Sequence, residues 1–149
     1  MAALLWSLLG IVAGACIAIQ APINTQLGRS LGLPVAAACI SFLAGAVVLA
    51  TVALVMAKVE GKMPDWRAPA HWLYFAGGAL GTVYVTTAIL LTPRIGAAAV
   101  MGLAVAGQLI AGLMIDRIGF LGVTVREISA GRIAGAAMLL AGVVMIRTF

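Results

Sequence analysis

The chain has 149 residues, of which 64% are hydrophobic and 9% charged, and its formal net charge is +5. Together with a mean hydropathy of +1.22, this composition excludes a soluble domain and identifies an integral membrane protein. The nine Lys and Arg residues are scattered singly over loops and ends, which excludes the basic stripe of a nucleic-acid-binding protein.

A helix needs roughly 20 apolar residues to cross a bilayer. Residues 1–28, 30–57, 73–93 and 95–115 contain no Asp, Glu, Lys or Arg, and each is long enough. The charge-free run 133–146 is shorter; it spans if Arg132 and Arg147 snorkel and residues 128–130 join the helix. The expected fold is therefore all-α and integral to the membrane. It forms a single five-helix domain over residues 1–149, with spans at about 3–24, 33–57, 72–93, 96–115 and 128–147.

The first run begins Met1 to Leu5 without the basic start of a signal peptide, so it is expected to be a retained span. Gly10 and Gly14 give it a GxxxG face, a spacing that lets helix backbones approach closely in lipid. Its end is unusual: Gln20, Pro22 and Asn24 precede the first charge, Arg29. Gln20 and Asn24 are four apart and share a helix face. Pro22 removes a backbone donor and is expected to loosen the last turn. Two readings stay open, in which the amides either meet a small polar ligand or tie the first helix to its neighbours.

Cys16 and Cys39 lie inside apolar runs and read as small packing residues rather than a disulfide. After the second span, residues 58–71 form the longest connection, too short for a separate domain. His71, beside Trp72, reads as an interfacial anchor rather than a catalytic group or metal ligand. The third span repeats the small-residue spacing at Gly77 and Gly81 and places Tyr84 at its middle, near Thr82, Thr86 and Thr87. The fourth span carries Gly102, Ala106, Gly107 and then Gln108, about three residues past its middle. Threonines commonly bond back to their own helix, so Tyr84 and Gln108 are the leading deep polar candidates. Asp116 ends the fourth span on nearly the same face as Gln108, about 12 Å along the axis. Arg117 beside it is an ion-pair candidate, and both residues are candidates for coupling or gating. Residues 116–127 either lie along the membrane surface or fold back on the bundle. The fifth span carries Gly131 and Gly135.

With a cytoplasmic N-terminus, inner loops would hold Lys58, Lys62, Arg67, Arg117, Arg126 and Arg132, against Arg29, Arg94 and Arg147 outside. Six against three favours N-in, C-out. No Asp or Glu lies in the interior of a span, so a proton-coupled antiport through a buried carboxylate has no residue to carry it. No nucleophile–base pair and no metal-ligand cluster is present either, so neither an enzyme nor a cofactor is expected.

The stretches GACIAIQAPINTQLGRSLGLPVAAACISFLAGAVVL, FAGGALGTVYV, LTPRIGAAA, AGQLIAGLMIDRIGFLG and GRIAGAAMLLAGVVM follow one another along the chain. In this order the sequence resembles the YdcZ-type five-span members of the drug/metabolite transporter superfamily, related to EamA-type transporters, over nearly its whole length. The resemblance implies a multi-pass protein of the bacterial cytoplasmic (inner) membrane that is half of an inverted-repeat transporter. Its partners would be the lipid bilayer, a small-molecule substrate, and a second copy of itself or an inverted paralogue. An odd number of spans makes fused halves antiparallel, and inverted repeats put a site near the midplane. The Lys/Arg bias departs from the near-zero value of a dual-topology homodimer. In such a pair Tyr84 and Gln108 would contact substrate, with Gln20 and Asn24 lining a mouth or stabilising the bend.

Three functions remain at this point. The chain is a transporter of small metabolites or drug-like molecules working by alternating access, a dimeric channel for an ion or neutral solute, or a non-transporting scaffold. Saturable counterflow distinguishes the first from the second, and any solute-dependent flux excludes the third.

Overall fold

The structure, a computed structural model, describes residues 2–149. All regular structure among them is helical: α1 (Ala2–Leu31), α2 (Pro34–Glu60), α3 (Leu73–Ile95), α4 (Ala97–Ile118) and α5 (Ala130–Thr148), with one 3-10 turn at Phe120–Gly122. All five α-helices are long and apolar enough to cross a membrane.

The helices run past the C-terminal ends of the expected spans, α1 most of all, while α2 to α5 begin one or two residues later than expected. Rather than ending near residue 24, α1 runs unbroken through Pro22, Asn24 and Gln26 to Leu31. A proline inside a helix removes one donor, and in a membrane protein neighbouring groups can re-satisfy the freed backbone, so the loosened end is not realised. Arg29 in the last turn also suits the negative end of the helix dipole. Gly32 then reverses the chain with a positive φ of 70° and donates its N–H to the Arg29 carbonyl at 3.2 Å. Pro34 opens α2, where its missing donor costs nothing, and Gly61 closes it in the left-handed conformation. The Ser129 hydroxyl caps α5 by accepting the Arg132 N–H.

Two compact units make up the chain, one ending at Pro93 and the other running Arg94–Phe149. In the first, Ala37, Ala38 and Ile89 form the buried core, with Leu27 and Val85 packed on it. These residues come from α1, α2 and α3, so the small side chains of α2 bring the three helices together. Large apolar side chains such as Trp6 and Phe75 stay more than two-thirds exposed, as expected where lipid replaces water outside the protein. Cys16 and Cys39 are free and exposed, not packed inside as their setting in the sequence suggested.

In the second unit α4 and α5 meet at Gly102. A Cβ there would lie 3.1 and 3.2 Å from the two methyls of Val143, a buried β-branched residue with little freedom to turn away. Residues 123–129 return toward the end of α4, where the Arg126 N–H donates to the Asp116 carbonyl at 2.9 Å. This bond ties the connection to the end of α4.

Candidate functional site

In the first unit the sequence places amides one helical turn apart on α1, and α2 supplies what they bond. The Gln20 Nε2 donates to Ser41 Oγ at 3.2 Å, and the Asn24 Nδ2 donates to the same oxygen at 3.1 Å. Asn24 is 4% exposed, whereas Gln20 lies open on the side of the helix. One turn further, Thr25 is also buried. Its hydroxyl donates to its own helix at Ala21 O, 2.8 Å, with a long branch to Ile89 O on α3 at 3.5 Å. Ile89 lies four residues before Pro93, which has no N–H to offer that carbonyl, so Thr25 partly replaces the missing donor.

Tyr84, midway along α3, joins this wall. A narrow pit of about 10 Å³ between α1 and α3 is lined by Gln20, Asn24, Tyr84 and apolar neighbours; it is too small for a ligand. It adjoins a cleft of about 460 Å³ lined by Ile17, Gln20, Ser41, Phe42, Leu49 and Tyr84 among others. The Phe42 ring bounds the cleft over Gly81, where a Cβ would come within 3.1 Å of its Cζ. The glycine seen in the sequence as a packing spacer thus lets an aromatic wall approach α3.

Volume does not single this cleft out. A groove of about 470 Å³ runs along Val35, Cys39, Phe42, Leu43 and Thr82, and one of about 480 Å³ lies between α4 and α5. The α4–α5 groove is lined entirely by apolar residues and glycine. In the other, the Thr82 hydroxyl is engaged with Gly78 O at 2.9 Å on its own helix. Of these three, the α1–α2–α3 cleft is the one that combines drug-sized volume with several polar side chains, the usual character of a small-molecule site.

The expected site residues thus fall into separate groups. Gln20, Asn24 and Tyr84 come together, and Ser41, which the sequence reading passed over, completes them. Gln108 sits near the middle of α4 on an exposed face of the second unit and lines none of the cavities described. At the end of α4, the carboxylate of Asp116 pairs with Arg132 of α5 and not with its neighbour Arg117. Residues i and i+1 on a helix point about 100° apart, so Arg117 is turned away and exposed. Arg132 also reaches the Glu127 carbonyl at 3.5 Å.

Five bilayer-length helices define a multi-pass helical membrane protein, and three of them border a cleft that no charged side chain lines. The sequence model of the family described as "Putative inner membrane exporter, YdcZ" matches residues 5–145. The chain belongs to that family, a family of transporters rather than enzymes, and is a multi-pass protein of the inner membrane. No curated protein and no solved structure matches it.

Proposed function

We propose that the chain is one half of an exporter of small metabolites or drug-like molecules, which pairs with an inverted second copy and works by alternating access. The observation that carries this reading is the α1–α2–α3 cleft, where Gln20, Ser41 and Tyr84 border about 460 Å³ inside helices that cross the membrane. Polar side chains at that depth are expensive unless they meet protein, water or substrate. Five spans support pairing, since an odd number inverts a second half. So do the small faces of α1: Cβ atoms added at Gly10 and Gly14 would meet nothing of their own unit within 4 Å. In this assembly the exposed Gln108 contributes a second polar wall, and Asp116 with Arg132 forms the charged clasp at the end of α4, leaving Arg117 at the surface.

The test combines orientation and flux. Single cysteines added at either end of a chain lacking Cys16 and Cys39 are labelled from outside intact cells. Labelling of both ends, in separate molecules, is the expected outcome. Purified chain in proteoliposomes is then expected to show saturable counterflow of solute. Labelling of one end alone together with absent counterflow would refute the self-paired exporter.

A further inference from the structure

We infer that the ligand of the α1–α2–α3 cleft is an uncharged amphipathic molecule, with an amide- or hydroxyl-type head that both donates and accepts hydrogen bonds and an apolar body. The inference rests on the reading of this cleft as the transport site.

Charge is the first argument. No Asp, Glu, Lys, Arg or His lines the cleft. The charged residues of α1 and α2 are Arg29, Lys58 and Glu60, all in the last turns of their helices. A charged head brought into the cleft would lose hydration without meeting a counterion, a penalty that unpaired buried ions do not recover.

The hydrogen-bonding inventory then fixes the head. The Ser41 oxygen accepts from both Gln20 and Asn24, so its lone pairs are engaged and its O–H remains as a donor. Gln20, exposed where it lines the cleft, carries a carbonyl oxygen beside the Nε2 that donates to Ser41. The polar end of the cleft therefore offers acceptors as well as donors with no net charge. A carbonyl alone would leave the Gln20 amide oxygen unmatched, and an ammonium would leave the Ser41 proton facing another donor. A primary amide or a polyol satisfies both. Ile17, Phe42, Leu49 and Val85 line the remainder and suit an aryl or alkyl body.

The experiment uses one skeleton with four ends. Radiolabelled 4-phenylbutanamide is bound to the purified full chain in phosphatidylethanolamine/phosphatidylglycerol vesicles, with protein-free vesicles subtracted. The competitors are 4-phenylbutylammonium, 4-phenylbutanoate and butylbenzene. Saturable amide binding is expected, with the two ions weaker by about a hundredfold through desolvation and butylbenzene weaker by about tenfold through lost hydrogen bonds. Ser41→Ala is expected to lower amide affinity by about tenfold. Gln20→Glu, which keeps the side chain's shape, is expected to shift the preference toward the ammonium. Equal competition by either ion or by butylbenzene, or an unchanged preference in Gln20→Glu, would overturn the assignment. Amide binding without counterflow would remove the transport reading and leave the ligand class standing. Counterflow of an ion with the amide inert would do the reverse.

Discussion

Because Gln20 and Asn24 donate to one and the same oxygen, their contributions to stability are tied to Ser41 in a way that a double-mutant cycle can read. Hydrogen bonds between helices in a membrane average about 0.6 kcal/mol each, so Ser41→Ala is expected to cost about 1.2 kcal/mol, the sum of two. Gln20→Leu removes one bond, worth about 0.6 kcal/mol on the same scale. In the Ser41→Ala background that bond is already gone, and Gln20→Leu should lose its hydrogen-bond cost altogether. Differences in how Leu and Gln partition into lipid occur in both backgrounds and cancel. The assay is reversible unfolding of the purified protein in mixed micelles by increasing SDS, followed by tryptophan fluorescence. A coupling of about 0.6 kcal/mol supports the shared acceptor. An identical effect of Gln20→Leu with and without Ser41 would refute it, and with it the description of the cleft's polar wall.

Two further outcomes are expected from the same unfolding assay. Thr25→Val should destabilise by about 1 kcal/mol, and Pro93→Ala should recover part of that loss by giving Ile89 O a backbone donor on its own helix; equal effects of Pro93→Ala with and without Thr25 would contradict this. Asp116→Arg and Arg132→Asp should each destabilise the α4–α5 unit, and together they should restore it to at least the original stability. The exchange keeps opposite charges facing while moving each to the helix end its dipole favours, a gain of about 0.3–1 kcal/mol per end; additive losses in the double variant would count against the pair.

The five spans were legible because lipid forbids unpaired charge over bilayer length, and charge-free intervals therefore mark helices. Their ends were less so. Arg29, Lys58 and Arg94 sit inside last helical turns, where the dipole and snorkelling admit a cation that the sequence suggests lies beyond the helix. The shared face of Gln20 and Asn24 followed from helical spacing, and the structure confirms it by bringing both to one oxygen. Ser41 was not legible, since a single serine in an apolar helix has no local signature and acquires meaning only from two residues of another helix. The partner of Asp116 was misread for a related reason: proximity in sequence favours Arg117, but helix geometry turns adjacent side chains apart and leaves Arg132, 16 positions away, to complete the pair.

The spacing of these contacts along the chain has a bearing on how the protein is made. Helix α1 leaves the ribosome before the groups of α2 and α3 that it will bond. Asn24 and Gln20 wait 17 and 21 residues for Ser41, about 1–4 s at ordinary rates of synthesis, while Thr25 waits 64 residues for Ile89, about 3–13 s. Thr25 carries its own interim partner in the Ala21 carbonyl, and the amides do not. The hairpin of α1 and α2 is thus the first arrangement in which the nascent chain can give the Gln20 and Asn24 amides their shared partner.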